Sequence, residues 1–389
     1  MRFALTEDQV TFRDAVADLL AAECPAEVVR AAWPGGDPKR LDRLWAALAD
    51  MGVFAAALPE SAGGLGLADV DLAPVLIATG YAAVPLPVAE TAAVVGPLLA
   101  ALGDPGGHLD AITAGRCRVA IAGASGLIPY GQRADLALLP HDPDGPRLVA
   151  LDAATATTVS TMDGSRAALR LATERPGGAE PGVRPGAVPA DPLRLDAPTD
   201  LLALTADRAT LAAAAHLVGL GRRLLDLTVA HVSTRRQFGA PVGSFQAVKH
   251  QLADALRGLE LAEPVVLAAA WSAATGAASR PVDVSAGYLL AADAADRAAR
   301  TALQCHGAIG YTVEYDLHLY AKRVWALTAD NAGTDAHLDR IGTAIGLPAA
   351  TARTAGLPAA TARTAGLPAA TARTAGLPAV TTRQEEAAP

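Results

Sequence analysis

Apolar positions recur at three- and four-residue spacing over roughly the first hundred residues and again beyond residue 200. Between those stretches the period shortens and the runs break. Leu41, Leu44, Trp45, Leu48 and Met51 fall on one face of a predicted helix. Upstream, Thr6-Glu7-Asp8-Gln9 has the form of a capping box. The Thr6 hydroxyl can accept from the Gln9 amide while the Gln9 side chain reaches back, with Leu5 and Val10 placed as a hydrophobic staple. The run Pro59-Glu60-Ser61-Ala62-Gly63-Gly64-Leu65-Gly66 predicts a loop. Further helices are predicted over 70–79 and 87–102, the second opened by Pro87, which a first helical turn tolerates.

Across 116–198 short Val, Leu and Ala runs (118–122, 134–139 and 147–151) alternate with Gly, Pro and Asp, and Pro176-Gly177-Gly178 and Pro185-Gly186 mark turns. This reads as a small β domain. Long helical patterns return over 201–234, 244–275 and 282–307, the middle one expected to be interrupted at Pro264, and their length suits a bundle. From Gly346 a decapeptide repeats, with Gly346, Gly356, Gly366 and Gly376 in register and Arg353, Arg363, Arg373 and Arg383 alongside. A proline in every unit forbids a continuous helix, so the repeats read as a low-complexity tail, with a short solenoid as the alternative. The predicted architecture is mostly α with a small β domain. It comprises an N-terminal helical domain (1–115), a short β-barrel-like domain (116–198), a C-terminal four-helix bundle (199–345) and a disordered tail (346–389).

Composition narrows the class. Of 389 residues, 51% are hydrophobic and only 19% charged, which excludes a wholly disordered chain. Aromatics make up just 4%, so the core must come from Ala, Leu and Val, which favour closely packed helices. The net charge of −8, with no Lys/Arg-rich stretch, argues against a nucleic-acid partner. Cys24, Cys117 and Cys305 are too scattered for a disulfide framework or a metal pair. The acidic start predicts no signal peptide, and no apolar run is long enough to predict a membrane span, so a cytoplasmic location is expected.

Two stretches carry candidate chemistry. In Thr234-Arg235-Arg236-Gln237-Phe238-Gly239-Ala240-Pro241-Val242-Gly243-Ser244-Phe245-Gln246, two guanidinium groups, an amide and an aromatic ring share an interhelical turn. Such a set suits an anionic, flat ligand such as a dinucleotide, or else an exposed turn with solvated charges. In Gln304-Cys305-His306-Gly307-Ala308-Ile309-Gly310-Tyr311, two glycines three apart allow close backbone approach to a phosphate or a partner chain. Cys305 reads as a packed small residue and His306 as a structural or loop residue, since no metal-ligand spacing surrounds it.

Both stretches resemble the acyl-CoA dehydrogenases, a flavoenzyme family. So do the Leu58-Pro59-Glu60 to Gly63-Gly64-Leu65-Gly66 segment and the helical–β–helical order, over about residues 1–345. The resemblance implies that Arg235, Gln237 and Phe238 grip the nucleotide half of FAD across a subunit interface, with Gln304, Gly307 and Gly310 holding the same half from the neighbouring subunit. Shared sites imply an obligate oligomer, usually a tetramer, acting on acyl-CoA or a carrier-bound acyl thioester and passing electrons to a flavoprotein acceptor. The implied reaction is α,β-desaturation: a carboxylate removes the α-proton while the β-hydride moves to the flavin, and hydrogen bonds stabilise the developing enolate.

The sequence departs from the family at the base. The usual Glu precedes a Gly-Thr, yet Gly333-Thr334 here follows Asp330-Asn331-Ala332. Asp207, before Arg208, matches an alternative position, so Asp207 and Asp330 are the candidate bases and His216 a weaker one. For Asp207 the bland alternative is a helix N-terminal acid paired with Arg208. The Thr-x-Pro-x-x-Gly-Ser-Asp and Trp-Ile-Thr segments that wrap the flavin ring in the family are missing. Gly123–Asp135 resembles a later stretch that runs up to an Ala-Asp strand. The implied alternatives are a working dehydrogenase, a non-catalytic FAD-sharing subunit of a heteromeric one, a flavin oxidase or monooxygenase relative, and a scaffold without cofactor.

Overall fold

The chain enters its first helix through the predicted capping box. In this computed structural model, which describes residues 4–151, 156–171, 192–330 and 333–347, the Gln9 amide donates to the Thr6 hydroxyl at 3.2 Å. The Thr6 amide donates back to the Gln9 side chain at 2.9 Å. Helix α1 (Glu7–Glu23) is followed by α2 (Ala26–Ala31), α3 (Lys39–Asp50) and α4 (Asp69–Tyr81). The α3 stripe of Leu41, Leu44, Trp45 and Leu48 is buried, as its spacing predicts. The predicted helix over 87–102 is divided: a π-helical stretch, Glu90–Val95, runs into α5 (Gly96–Ala101). The short α6 (Leu109–Thr113) follows.

Seven strands from β1 (Val119–Ile121), β2 (Leu127–Ile128), β3 (Leu136–Leu139) and β4 (Arg147–Ala150) to β5 (Ala156–Val159), β6 (Ala168–Leu171) and β7 (Leu193–Arg194) form two small sheets among the described residues. Their orders are β1-β3-β4-β7 and β2-β6-β5. All pairings are antiparallel except β1 with β3. Ala120, Ile128, Ala137, Val149 and Leu169 make a small apolar cluster of their own there. The turns predicted at 176–178 and 185–186 lie outside the described residues, as do the repeats from residue 348.

Beyond the sheets run α7 (Thr199–Thr234), the hairpin of β8 (Arg236–Gln237) and β9 (Ala240–Pro241), α8 (Gln246–Thr275), α9 (Arg280–His306), α10 (Leu317–Asp330) and α11 (Gly333–Ala344). Helix α7 is long and apolar enough to cross a membrane by composition, yet its residues from Leu211 to Leu225 are largely buried against α4, α8 and α9. The interruption expected at Pro264 does not occur, and α8 continues through it. Pro264 is exposed, so the carbonyl that loses its partner one turn earlier can turn to water.

Packing of α4 on α7 depends on two glycines. A Cβ on Gly80 would lie 2.5 Å from the His216 Cα, and one on Gly219 would lie 2.0 Å from the Ile77 carbonyl oxygen. The backbones therefore touch, and His216 is pinned in the interior. Its Nε2 lies 3.0 Å from the Thr79 Oγ1, and the Thr79 hydroxyl donates to the Leu76 carbonyl at 2.9 Å. The imidazole N–H must then be the donor of that pair.

Candidate functional site

The two glycine- and arginine-bearing turns lie side by side. Helix α7 ends at Thr234, with the Arg235 amide donating to the His231 carbonyl at 2.9 Å. The β8–β9 hairpin then turns through Phe238 and Gly239, at φ +51° and +79°. Two positive φ values in a two-residue loop fit a type I′ turn, a conformation that costs Phe but not Gly. The Phe238 ring is 94% exposed, meeting Phe245 edge-on at 6.2 Å. Arg236 donates to the Gly239 carbonyl at 2.9 Å. Arg235 and Gln237 are exposed, and within the described residues Arg235 makes no hydrogen bond through its guanidinium.

Helix α9 ends at His306, and Gly307 (φ +62°) starts a 3-10 turn through Tyr311. Gln304 and Gly307 are exposed, while Gly310 is buried with little room for a side chain: a Cβ there would lie 3.0 Å from the His306 Cβ. What joins the turns is an aromatic stack. The His231 and His306 rings lie 4.2 Å apart at 24°, with Tyr315 packed on both. His306 Nδ1 donates to the Ala302 carbonyl at 2.7 Å, which leaves its buried Nε2 as an acceptor without a partner. Burial holds both imidazoles below the usual histidine range, Arg235 adding to this at His231 and His231 at His306. The structural reading of His306 holds. Cys305 is half-buried, its thiol pushed up by burial and its sulfur 3.9 Å from Gln251, which suits packing and not nucleophilic attack.

Neither candidate aspartate is presented as a free base. Asp207 is buried, with Oδ2 accepting from Arg280 at 2.8 Å and Oδ1 paired with Arg340 at 2.7 Å. Both oxygens are engaged by α9 and α11, so Asp207 is a structural ion-pair centre, contrary to its reading as a base. The expected pairing with Arg208 is also absent, since Arg208 forms a two-pronged bridge to Asp69 at 2.7 and 3.0 Å. His216 is buried and held down to about 3 by burial, so it stays neutral and out of reach of a substrate. Asp330, at the end of α10, does line a cleft, but it is ion-paired with Arg166. Residues 331 and 332 lie outside the described residues.

That cleft lies between the β2–β6 region and α10. Leu127, Pro129, Met162, Arg166, Trp325 and Asp330 are among its walls, and its volume is about 140 Å³. Behind it sits an ionic cluster that sequence reasoning missed. In the turn Asp163-Gly164-Ser165-Arg166, Asp163 accepts from the Ser165 hydroxyl at 2.5 Å and pairs with Arg323 of α10, both charged groups being buried. Arg323 also donates to the Val84 carbonyl at 3.1 Å and to the Ser165 hydroxyl at 2.7 Å. Tyr130 lies beneath two guanidiniums, Arg166 at 5.3 Å and Arg323 at 5.6 Å. Glu90, on the π-helical turn, has a sealed oxygen without a partner, and burial pushes its carboxyl up. It does not line the cleft. A larger groove of about 330 Å³ beside α1 and α8 is lined by none of the candidate residues.

This geometry can be set beside known proteins. Residues 6–106 match the model of the acyl-CoA dehydrogenase N-terminal domain, and residues 200–344 that of the C-terminal domain. The chain is an acyl-CoA dehydrogenase family member. Among curated acyl-CoA dehydrogenases, it is 32% identical over 320 residues to IpdE2 of Mycobacterium tuberculosis, covering 82% of this chain and 91% of that one. It is 31% identical to FadE27 of the same organism, covering 78% and 88%. A solved structure of the ChsE4–ChsE5 complex from Mycobacterium tuberculosis superposes with a TM-score of 0.73 at 26% identity, over 90% of this chain and all of that one. The acyl-CoA dehydrogenase fold, mostly helical with a small β region, is thus established, and with it a flavoprotein oxidoreductase family.

FAD is the family's cofactor, and its two halves meet different surroundings on this chain. At the two turns its nucleotide half fits: exposed guanidinium, amide and ring groups stand beside a glycine turn with open backbone. The ring half does not fit this chain's own cleft. About 140 Å³ is under half the roughly 300 Å³ at which small-molecule pockets begin.

Proposed function

We propose that this chain acts as a FAD-sharing subunit of an acyl-CoA dehydrogenase assembly, supplying the grip on the nucleotide half of a flavin. In that assembly a partner chain supplies the base for α,β-dehydrogenation of an acyl thioester. The observation that carries this reading is the His231–His306 stack, which brings the Arg235–Phe238 and Gln304–Gly310 turns together at an exposed edge. Arg235 offers a planar pair of donors to a pyrophosphate, Phe238 a ring face to the adenine, and Gln237 and Gln304 amide hydrogen bonds. Gly307, exposed with nothing near the place of a Cβ, keeps the second backbone low enough for phosphate to approach, while Gly310 is buried and holds the turn against His306. When bound, the flavin accepts the hydride that leaves the β-carbon of the acyl group.

The missing base supports the subunit role over a self-sufficient enzyme. Ala332 stands before Gly333-Thr334, where the family places Glu. Asp207 and Asp330 are each tied to guanidiniums, and Glu90 does not line the cleft. A base must come within hydrogen-bond reach of the proton it takes, and among the described residues no free carboxylate lines this cleft. The similar ChsE4–ChsE5 structure is itself a complex of two named chains. The proposal extends to a cytoplasmic setting and a flavoprotein electron acceptor.

Purification alone and with a co-expressed dehydrogenase-like partner tests it. The isolated chain should be colourless and the assembly yellow, bleaching when acyl-CoA is added without oxygen. Arg235→Ala should weaken flavin retention by the assembly roughly 10- to 150-fold, the worth of one charged hydrogen-bonding group. A chain that is yellow by itself and turns over acyl-CoA unaided would sink the subunit role. Unchanged flavin in Arg235→Ala would sink the grip.

A further inference from the structure

Resting on the subunit reading, we infer that the Arg166–Asp330 ion pair is a bar that keeps a flavin ring out of this chain's own β/α10 cleft. The two residues come from opposite walls: Arg166 from the turn after Asp163, Asp330 from the last turn of α10. Both line the cleft, and the Arg166–Asp330 pair ties those walls together. The remaining space is too small for a tricyclic ring system.

Three observations show that the pair is built into the fold and is not a chance surface contact. Arg166 is only 6% exposed. Its guanidinium is fixed from behind by the Tyr130 ring at 5.3 Å, and its carbonyl accepts from the Tyr130 amide. The turn that carries it is clamped to α10 a second time by the buried Asp163–Arg323 pair. Stability alone does not account for such an arrangement. Asp330 keeps its carboxylate partly open to solvent while Arg166 is buried, a buried guanidinium gains little over an apolar group of the same volume, and here one buried donor, the Arg166 Nε, is left without any partner. An arginine that stays buried with a donor unmatched is better explained by the space it occupies than by the bonds it makes.

The consequence concerns how flavins are distributed in the assembly. This chain lends its two turns to the partner's cleft, while its own cleft, to which the partner's turns would be offered in return, stays shut. The assembly then carries one flavin per pair of unlike chains.

Replacing both residues at once, Arg166→Leu with Asp330→Leu, removes the bar without stranding either charge. In the co-purified assembly, flavin released by denaturation and measured by absorbance should rise from one towards two per pair of chains. An unchanged ratio in a double variant that melts like the parent overturns the inference, as does a parent assembly already holding two. Should the double variant fail to fold, a structure of the parent assembly loaded with FAD decides. A ring confined to the partner's cleft, with Arg166 still on Asp330, supports the bar, and a ring in this chain's cleft overturns it. Flavin loss in Arg235→Ala alongside an unchanged ratio in the double variant would leave the shared-flavin reading standing and remove only the bar.

Discussion

The paired turns after α7 and α9 and the cleft between the β2–β6 region and α10 are built in opposite ways. At the turns, polar and aromatic groups stand in water: Arg235, Gln237 and Gln304 are exposed, and Phe238 is held in a left-handed conformation with its ring almost wholly uncovered. At and behind the cleft, Arg166, Asp163 and Arg323 are buried, Asp163 paired with Arg323 and Arg166 with the partly exposed Asp330. At the turns polar groups are left accessible, whereas behind the cleft they are paired within the chain. On the proposed reading, the contrast says where this chain acts: it offers its outer edge and closes its interior.

The contrast can be broken most forcefully at Arg323. Arg323→Ala strands the buried Asp163 carboxylate and should cost about 3–5 kcal/mol of folding stability, read as a lowered denaturant midpoint. Arg235→Ala should leave that midpoint unchanged. Equal losses in the two variants would show the turns to be as structural as the cluster.

A more gradual effect, spread over several pH units, is expected from acid. His216 has its pKa held at about 3 in the folded chain against 6.5 when free, so between those values the unfolded chain binds the extra proton. The stability associated with a neutral His216 is complete above about pH 6.5 and is lost as the pH falls towards 3. His231 and His306, lowered less, shift in the same direction. Chemical denaturation at a series of pH values should show the decline, and His216→Gln should flatten it. A slope unchanged in that variant would place the acid sensitivity elsewhere.

The smallest effect sharpens the comparison at its other end. Phe238→Gly relieves a left-handed aromatic residue and should stabilise the isolated chain by up to about 1 kcal/mol. The same change should weaken flavin retention by the assembly roughly 2- to 10-fold. A variant that lost stability instead would show that the ring packs within its own chain.

Much of this was legible in the sequence where the signal is local. The Thr6–Gln9 box, the α3 stripe and the ends of α7 and α9 each rest on residues a few positions apart. The Arg235–Phe238 and Gln304–Gly310 stretches stood out for the same reason. The ionic cluster did not, because its partners lie far apart along the chain: Arg166 and Asp330 are separated by 164 positions, Asp163 and Arg323 by 160. Asp207 misled because its neighbour Arg208 suggested a local pair, while the fold supplies Arg280 and Arg340. Pro264 misled because a breaker on a solvated face need not break.

The uncovered Phe238 also bears on the chain's life before assembly. Together with the exposed Ile309, Tyr311 and Val313 of the second turn, it gives an orphaned copy adhesive spots that only a companion would hide. Synthesis of the two polypeptides in matched amounts would then protect the cell from clumping as much as it serves catalysis.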